Sequence, residues 1–489
     1  MENFFGPVQF FSDFLWGGTW GETRVLPVGI VTIALIGTGV FFMIAMRFRP
    51  LTRLGPAFAQ LWTGRKALGA GEITPWQALS TALSGQVGTG NLAGVATALT
   101  LGGPGAIFWM WVTALFGMAL AFAESSLAVR YREQHPDGRV HGGPMYYIKN
   151  ALPKPWIILA FLFCIGTLFS AVATGGMIQA NSITQSTQET ARSLGVSIPN
   201  WAAGLVIAGL VFAVIIGGIK SIGAVAGKLV PLMAAAYVVA SLAVIVLHAS
   251  EVPQAFALIF RSAFGFQEAA GGLAGYGVLA AIRAGVARGL FSNEAGQGSA
   301  PIAHAAAQTS DPVRQGEIAM LGVFIDTIII CTMTALVILT VAGDFPSVGG
   351  TVEYAWQSAD LQASAITTAA FAQGIYGGQW IVLAAQFLFA FTTMIGWSYY
   401  AEQALTFITG DWAARPFRFL WVIMIFAGTM IVNVDGLWRL GDVANASMLF
   451  PNVIALLALS GVVLAMSKAG TGQIKAGALN DPAAKEPAG

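Results

Sequence analysis

Two glycine-containing segments with the same order of polar residues are the part of this sequence best suited to chemistry. Residues 84–91 read Ser-Gly-Gln-Val-Gly-Thr-Gly-Asn, and residues 292–299 read Ser-Asn-Glu-Ala-Gly-Gln-Gly-Ser. Both fit Ser-x-[Gln/Glu]-x-Gly-x-Gly-[Asn/Ser], with an offset of 208 residues. Glycine pairs can interrupt a membrane helix, which frees backbone N–H groups to bind a carboxylate and carbonyl groups to bind a cation. Close packing of helices through small residues is the structural alternative, and the second matched copy weakens it.

The composition places these segments in a membrane. The chain of 489 residues is 56% hydrophobic and only 10% charged, whereas average soluble proteins are about 25% charged. The net charge of +1 argues against nucleic-acid binding, which needs a concentrated basic face. Two cysteines in apolar stretches and four scattered histidines favour neither a disulfide framework nor a multi-histidine metal centre.

Runs without charged residues locate the helices that must position the two segments. They predict eleven membrane spans, with glycine-containing turns at residues 102–105 and 377–378. The predicted spans are 25–46, two within 73–123, 155–188, 193–219, 229–250, 272–308, 316–343, one within 361–401 after an extracellular approach, 417–434 and 443–467.

Lysine and arginine are distributed unequally between the predicted loops. With the N-terminus outside, the inner loops contain eighteen of these residues and the outer segments four. Cytoplasmic loops of membrane proteins are enriched in Lys and Arg. We therefore expect a multi-pass protein of the cell membrane, such as a bacterial inner membrane, with the N-terminus outside and the C-terminus in the cytoplasm.

The two segments lie in the second and seventh predicted spans, so each begins a unit of five helices. Because five is odd, the units cross the membrane in opposite directions, as in the inverted repeats of secondary transporters. We predict an all-α membrane protein with one extra N-terminal helix and a 5+5 inverted repeat, in which the first helix of each repeat is broken. The expected parts are 1–72 (interfacial segment and extra helix), 73–250 and 251–467 (the two repeats), and 468–489 (a disordered cytoplasmic tail).

Three long segments in this order resemble the alanine or glycine:cation symporter family of the amino acid–polyamine–cation superfamily. They are residues 88–98, 141–148 and 288–301, within a resemblance that covers roughly residues 20–465. The resemblance implies the fold of the bacterial leucine transporter and cotransport of a small neutral amino acid with Na⁺. The residues alone indicate only a secondary transporter with an inverted repeat.

A zwitterion the size of alanine needs donors for its carboxylate, acceptors for its ammonium group and a short pocket. We expect backbone amides of residues 89–91 to bind the carboxylate, and carbonyl and side-chain oxygens of residues 291–293 to bind the ammonium group. Gln179 is expected either to reach the substrate or to form a hydrogen bond with a neighbouring helix. The family resemblance also implies that apolar side chains form the walls of the substrate pocket. The expected substrate contacts are Thr89, Gly90, Asn91, Gln179, Phe291, Ser292, Asn293, Met394, Ile395 and Trp397.

The adjacent hydroxyls at positions 392 and 393 resemble the pair that this fold uses for a shared sodium site. Oxygen ligands suit a hard cation such as Na⁺, the expected co-transported ion. The alternative is that both hydroxyls bond carbonyl groups of their own helix. The expected Na⁺ ligands are Ser84, Val87, Phe389, Thr392 and Thr393.

Charged residues inside membrane spans are rare and are treated first as functional candidates. Glu294 could bind the ammonium group, neighbour the cation or carry a coupling proton, and accepting backbone N–H groups of the broken helix is the structural alternative. Asp326 needs a partner that the sequence does not identify. Glu124 is expected to pair with Arg130 or with neighbours of Arg288 and is given no function.

Two arginines lie toward the outer end of the seventh span. We expect Arg283 and Arg288 to close an outer gate by pairing with Asp442 or Glu353, while extension of Arg283 to the membrane surface is the simpler alternative.

The resulting hypothesis is a symporter that imports alanine or glycine with Na⁺ by alternating access, without an organic cofactor. Its partners are the amino acid and the lipid bilayer, it binds no nucleic acid, and a monomer suffices. The alternatives are proton coupling through Glu294 on the same fold, a membrane-embedded enzyme, and a channel. An enzyme would need a nucleophile–base or metal arrangement, and the sequence offers no convincing one.

Overall fold

The structure is a computed structural model that describes residues 10–11, 14–20, 23–26, 29–63, 69–193, 195–265, 274–348, 350–361, 363–431 and 435–471. Six of its helices are long and apolar enough to cross a membrane. They are Gly105–Arg130, Lys154–Gln188, Gly218–Leu247, Pro312–Thr340, Gly378–Thr409 and Gly436–Ala458. Residues 1–9 of the predicted interfacial segment and the predicted tail after residue 471 lie outside the described residues.

Helices form most of the described chain. The first half contains α1 Ile30–Ala45, α2 Arg49–Thr52, α3 Leu54–Thr63, α4 Pro75–Gln86, α5 Ala93–Gly102, α6 Gly105–Arg130, α7 Pro144–Ala151, α8 Ile157–Ser170, α9 Ile178–Ser193, α10 Asn200–Ile215 and α11 Gly218–Leu247. The second half contains α12 Val252–Ala263, α13 Ala274–Asn293, α14 Ala300–Ala305, α15 Pro312–Val323, α16 Thr332–Thr340, α17 Ser364–Gly374, α18 Gly378–Thr409, α19 Ala414–Thr429, α20 Asp435–Ala458 and α21 Ser460–Ala469. Short 3₁₀ turns occur at Thr89–Asn91, Lys154–Trp156, Ala249–Glu251, Ala355–Gln357 and Asp411–Ala413.

Three antiparallel hairpins connect helices in the described part of the chain. They are β1 Gly18–Trp20 with β2 Thr23–Leu26, β3 Glu133–Gln134 with β4 Val140–His141, and β5 Phe345–Ser347 with β6 Gly350–Val352. The middle hairpin pairs Glu133 with His141 and links the end of α6 to the start of α7.

Local sequence fixes where two helices near the centre begin. The Thr74 hydroxyl accepts a hydrogen bond from the backbone N–H of Gln77 while the Gln77 side chain accepts one from the backbone N–H of Thr74, and Pro75 opens α4. Asp311 accepts hydrogen bonds from two backbone N–H groups of α15, which opens with Pro312. Such caps satisfy N–H groups that have no partner within the helix.

Two helices continue through π-helical segments. Ala171–Met177 joins α8 to α9, and Phe324–Cys331 joins α15 to α16. In the first segment, the Gln179 side-chain amide donates to the Thr174 carbonyl at 3.0 Å. Such segments often occur at functional sites, because the wider turn redirects side chains and leaves carbonyl groups available.

Helices α6 and α18 lie at the middle of the packing. Helix α6 contacts α1, α13, α14 and α15, while α18 contacts α4, α8, α9, α11 and α17. In addition, α20 packs on α8, and α10 packs on α19. The pair α4 and α5 and the pair α13 and α14 connect the two central helices, since α4 and α14 contact α18 while α5, α13 and α14 contact α6.

The described helices overlap the predicted spans, but two of them differ clearly in position. Helix α18 continues to Thr409, beyond the predicted end at residue 401. The span predicted at 229–250 is wrong at its start, because α11 begins at Gly218 and contains Lys220 and Lys228. Both lysines are exposed, and long lysine side chains can extend along a helix to reach water. The predicted turns are present, with φ of +65° at Gly103 and +76° at Gly377.

Candidate functional site

The first helix interruption lies between α4 and α5. Val87 and Gly88 are extended, and Thr89–Asn91 form one 3₁₀ turn. The Asn91 side-chain oxygen accepts a hydrogen bond from the Gly88 backbone N–H at 2.9 Å, which stabilises the turn. A Cβ added at Gly88 would lie 2.5 Å from the Thr393 hydroxyl oxygen, so only glycine fits against α18 here.

The second interruption lies between α13 and α14. Glu294 has φ of +57°, and Gly296 and Gly298 have φ of +81° and +88°. This left-handed region is unfavourable for glutamate, so its surroundings must stabilise it. The Glu294 carboxylate accepts hydrogen bonds from the Ser299 hydroxyl at 2.6 Å and the Trp397 indole N–H at 2.8 Å. These bonds hold the carboxylate between the break and α18.

The two interruptions are in direct contact. The Gln86 side-chain amide donates to the Asn293 carbonyl at 2.8 Å. A Cβ added at Gly90 would lie 3.1 Å from the Phe291 ring and 3.5 Å from the Cα of Ser292. The unwound backbones therefore face each other, and glycine allows this close approach.

Asp326, in the π-helical segment that follows α15, contacts both interruptions. Its carboxylate accepts hydrogen bonds from the Asn91 side-chain amide at 2.6 Å and the Ser292 hydroxyl at 2.8 Å. The Thr327 hydroxyl donates to it at 2.7 Å. Asp326 is completely buried, and a buried carboxylate requires such partners. This side chain therefore fixes the two unwound segments relative to each other.

A small cavity, the central pocket, opens between the interruptions and α18. The empty space between these residues is about 280 Å³. Residues lining it are Gly85, Gln86, Gly88, Gly90, Thr174, Gln179, Phe291, Glu294, Gln297, Thr393, Trp397 and Asn445.

The structure divides the residues predicted to contact substrate into two groups. Gly90, Gln179, Phe291 and Trp397 line the central pocket. The other predicted contacts do not line it: Thr89, Asn91, Ser292, Asn293, Met394 and Ile395. Asn91 and Ser292 bond Asp326, Asn293 donates to the Thr327 hydroxyl at 3.1 Å, and Met394 and Ile395 are buried. The Thr89 backbone N–H donates to Gln179 at 3.3 Å.

Three of the five residues predicted to bind Na⁺ meet at one point. The Thr393 hydroxyl lies 3.3 Å from the Val87 carbonyl and 2.9 Å from the Phe389 carbonyl. The Thr392 hydroxyl bonds the Leu388 and Phe389 carbonyls, so both hydroxyls bond their own helix, and of the two Thr393 also reaches Val87. The expected ligand from Ser84 is its backbone carbonyl, which stays a prediction, while its hydroxyl bonds the Thr81 carbonyl at 2.7 Å.

Carbonyl and hydroxyl oxygens are ligands for a hard cation rather than for a transition metal. Among the residues that the structure describes, no group of three or more His, Cys, Asp or Glu could hold a metal ion. The oxygens around Thr393 are of the type that binds a hard cation.

The predicted gate residues lie on one side of the central pocket. Arg288 lies over the Trp438 ring at 5.8 Å, and this ring packs on Phe291 at 5.2 Å. Asp442 is close enough to interact electrostatically with Arg288, although the described residues form no ion pair there. Arg283 donates to the Gly17 carbonyl.

The prediction that Glu124 pairs with Arg130 is wrong. The Glu124 carboxylate accepts a hydrogen bond from the Asn452 side-chain amide, which also donates to the Gly296 carbonyl at 3.0 Å. The Tyr147 hydroxyl donates to Asn452 as well. This buried network lies behind the second interruption and supports its unwound backbone.

Several residues that line the pocket were not among the predicted contacts. Gln86 and Gln297 lie in the two repeated segments but were given no role, and the Gln297 side-chain amide donates to Asn445 at 2.9 Å. Asn445 and Trp438 lie in α20, outside the quoted motifs. The signal that could have found Asn445 is an amide within the uncharged span predicted at 443–467, since such groups need buried partners.

A model of the sodium:alanine symporter family matches residues 20–485. The sodium/alanine symporter AgcS of Methanococcus maripaludis is 40% identical over 472 residues, which cover 96% of this chain and 97% of AgcS. An uncharacterized transporter of Haemophilus influenzae is 40% identical over 460 residues, covering 94% of each chain.

A solved structure shows the same fold. The crystal structure of MhsT in complex with L-phenylalanine matches with a TM-score of 0.57 and 15% sequence identity. The match covers 80% of this chain and 91% of MhsT. The described helices therefore have the leucine-transporter-like arrangement.

Proposed function

This chain belongs to the sodium:alanine symporter family, and on that basis we propose that it imports a small neutral amino acid, alanine or glycine, together with Na⁺. Its family and its long apolar helices make it a multi-pass membrane transporter of the amino acid and cation symport class. The choice of amino acid and of Na⁺ is the proposal.

The observation that carries this proposal is the contact between the two unwound segments around a small pocket. The Gln86 to Asn293 hydrogen bond at 2.8 Å joins the segments, and both contribute to the pocket lining. Unwound helices at membrane depth are tolerated where they line a cavity. Their free amides and carbonyls can bind the charged groups of a zwitterion without a charged side chain for each.

Each end of the substrate has a proposed partner. The Gly90 backbone amide, whose neighbours at Gly88 and Thr89 already donate to Asn91 and Gln179, binds the carboxylate at the start of a half-helix whose dipole favours an anion. Glu294 and the carbonyl groups near Phe291 bind the ammonium group. The Phe291 and Trp397 rings limit the space for the side chain, which favours alanine or glycine over larger amino acids.

The cation is proposed to lie at the Thr393 hydroxyl, with the carbonyl groups of Val87 and Phe389. This point joins the first interruption to α18, so an ion bound there holds α4 against α18. Occupation would favour the closed arrangement around the substrate, which couples the two binding events. Symport of Na⁺ with a neutral zwitterion moves net charge.

The proposed architecture has eleven spans, the N-terminus outside and two inverted five-helix repeats at 73–250 and 251–467. One bundle moves against the remaining helices to expose the central pocket to each side in turn. The N-terminal helix α1 packs on α6 and lies outside both repeats.

Uptake of radiolabelled alanine into proteoliposomes tests the proposal. With equal pH on both sides, an inward Na⁺ gradient should drive accumulation, and replacement of Na⁺ by choline should abolish it. Unlabelled glycine should compete, and unlabelled leucine should not. Undiminished uptake in choline would contradict Na⁺ coupling.

Proton coupling is the second candidate, and the buried Glu294 carboxylate at the pocket favours it. In the same vesicles, an inward proton gradient without Na⁺ would then drive uptake. Lack of alanine uptake under either gradient would contradict both candidates.

A further inference from the structure

A second and larger cavity, the inner pocket, lies near the central pocket. Its empty volume is about 730 Å³. Glu72, His141, Lys220, Tyr399, Gln403 and Asp411 are among its lining residues. Trp397 lines the central pocket and Tyr399, two positions later on α18, lines the inner one. The two cavities therefore approach each other within one turn of this helix.

The layer between the cavities is thin and tightly packed. A Cβ added at Gly85 would lie 3.1 Å from the Tyr400 hydroxyl oxygen, and one added at Gly396 would lie 2.5 Å from the Ser84 hydroxyl oxygen. Separation of α4 from α18 at these glycines would join the two cavities. A solute that leaves the central pocket by this route enters the inner pocket.

Charges of both signs surround the inner pocket, and most of them are already paired. Arg418 bonds both oxygens of Glu402 at 2.7 Å, and Arg139 lies 2.7 Å from Asp411. Lys220 differs, because within the described ranges its ammonium group has no hydrogen-bond or ion-pair partner.

Glu72 supplies the opposite charge. One of its carboxylate oxygens accepts a hydrogen bond from the Val140 backbone N–H at 3.0 Å, and it is close enough to Lys220 for electrostatic interaction. Among the described residues, the Lys220 ammonium group therefore has no direct partner, and one carboxylate oxygen of Glu72 accepts no hydrogen bond.

Two buried polar side chains at this pocket are only loosely partnered. Gln403 is 6% exposed and His141 is 4% exposed. His141 has Asp411 at 3.6 Å and the Gln403 side chain beside it, but neither its ring nitrogens nor the Gln403 side-chain oxygen reaches hydrogen-bond geometry with the described residues. Buried polar groups are nearly always hydrogen-bonded, so the Gln403 oxygen is available to a polar ligand or water in the pocket.

The start of α11 forms part of the same wall. Gly217 precedes this helix of 30 residues, and no side chain caps its first N–H groups. Gly217, Gly218 and Ile219 line the pocket together with Lys220. Free N–H groups at a helix N-terminus bind carboxylates, and a lysine beside them strengthens the attraction.

We propose that the inner pocket is a second binding site for a zwitterionic amino acid, occupied on the way between the central pocket and the cytoplasm. The start of α11 and Lys220 bind its carboxylate, and Glu72 binds its ammonium group with the Gln403 oxygen as a further acceptor. This inference rests on the proposed function, since the ligand is the transported amino acid.

Transport measured from each side separately tests the inference. Cells that express the chain report alanine entry from outside, and inverted membrane vesicles report entry from the cytoplasmic face. Lys220→Gln should raise the half-saturating alanine concentration in inverted vesicles about fivefold or more, with a smaller change in cells, because it removes one charged partner. Glu72→Gln should act in the same direction. Lys228→Gln, which changes an exposed lysine of the same helix away from the pocket, is the matched control.

Equal half-saturating concentrations for Lys220→Gln and Lys228→Gln in inverted vesicles would overturn the inference. Inhibition of the wild-type chain by inorganic phosphate, lost in Lys220→Gln without a change in alanine affinity, would also overturn it by indicating a simple anion site. Failure of the proposed function is distinguishable, since the wild-type chain would then show no Na⁺-driven alanine uptake in cells.

Discussion

Asp326 accepts a hydrogen bond of 2.6 Å from Asn91, a residue 235 positions earlier in the chain. The same carboxylate bonds Ser292, so it connects the unwound segment of the first broken helix to that of the second. Movement of either segment during transport must preserve or break these bonds. Asp326 is therefore a positioning residue whose effect reaches the central pocket through two neighbours.

Asp326→Ala should reduce alanine transport to less than about a tenth of the wild-type rate, since removal of one partner leaves buried polar groups unpaired at a cost of several kcal/mol. Asp326→Asn keeps the shape and one acceptor oxygen and should retain more activity. Uptake and thermal unfolding are measured together, with the exposed Asp344→Ala as control. Equal transport by the alanine variants at positions 326 and 344 would contradict the positioning role.

The two adjacent threonines of α18 should differ in their effect on Na⁺ dependence. Thr393→Ala removes the hydroxyl that lies beside the Val87 and Phe389 carbonyls and should raise the half-saturating Na⁺ concentration about tenfold, equivalent to about 1.4 kcal/mol. Thr392→Ala should have little effect, because that hydroxyl, unlike the one of Thr393, does not reach the Val87 carbonyl. Thr393→Ser should behave like the wild-type chain. A larger effect at position 392 would place the cation elsewhere.

Alanine substitutions at glycines near the first interruption should rank by available space. A Cβ at Gly88 meets the Thr393 hydroxyl oxygen at 2.5 Å, one at Gly90 meets the Phe291 ring at 3.1 Å, and one at Gly94 meets nothing within 4 Å. We expect Gly88→Ala to abolish alanine binding, Gly90→Ala to weaken it, and Gly94→Ala to leave it unchanged. Binding to purified protein measures this order, and normal binding by Gly88→Ala would refute the close contact with α18.

Arg132 connects the ends of both broken helices. Its guanidinium is buried just beyond α6, where burial lowers the pKa of Arg132 to about 10, so it stays cationic at neutral pH. Arg132→Lys cannot reproduce the fork of donors and should lower the free energy of unfolding by about 3 kcal/mol. The guanidinium donates to the carbonyl groups of Ala70, Ala305, Ala307 and Thr309 at 2.6, 2.7, 2.7 and 2.8 Å.

Thermal unfolding in detergent checks this value. Arg130→Lys is the matched control, because Arg130 lies over the Tyr131 ring at 5.6 Å and forms no comparable set of bonds in the described chain. Identical unfolding temperatures for both lysine variants would mean that the carbonyl contacts of Arg132 add nothing to stability.

His141 should make stability depend on pH. Burial lowers the pKa of His141 below its usual value of 6.5, with His135 and Arg139 acting in the same direction and Asp411, at 3.6 Å, opposing them. The unfolded chain therefore binds a proton more readily than the folded one, so stability falls as pH drops below about 6.5. His141→Asn should lose less stability between pH 7 and pH 5 than the wild-type chain, as followed by thermal unfolding. Equal losses of stability in His141→Asn and the wild-type chain would show that His141 does not cause the pH dependence.

Local sequence was sufficient to predict where the helices break. Gly88, Gly296 and Gly298 mark the interruptions because glycine permits extended or left-handed backbone that other residues avoid, and the structure has irregular backbone at all three. The start of α11 was predicted wrongly, because the span was assumed to end at the first charged residue. Lys220 and Lys228 lie within the helix, and both are exposed at its surface.

Partners that are distant in sequence could not be predicted in the same way. The contact between Asp326 and Asn91 depends on how the helix containing Asp326 packs across the site. Glu124 was assigned to Arg130, six positions away, whereas its partner Asn452 lies 328 positions away. Helix periodicity gives the face on which a residue lies, but the opposing residue is set by tertiary packing.

Equilibrium binding of radiolabelled alanine to the purified wild-type chain, in Na⁺ and in choline at one pH, measures whether the amino acid and the cation bind together. We expect saturable binding in Na⁺ that is weakened at least tenfold in choline, and recovery of that binding as Na⁺ is returned. Equal binding in both salts, or none in either, would contradict a central pocket in which the two unwound segments hold an amino acid together with its driving ion.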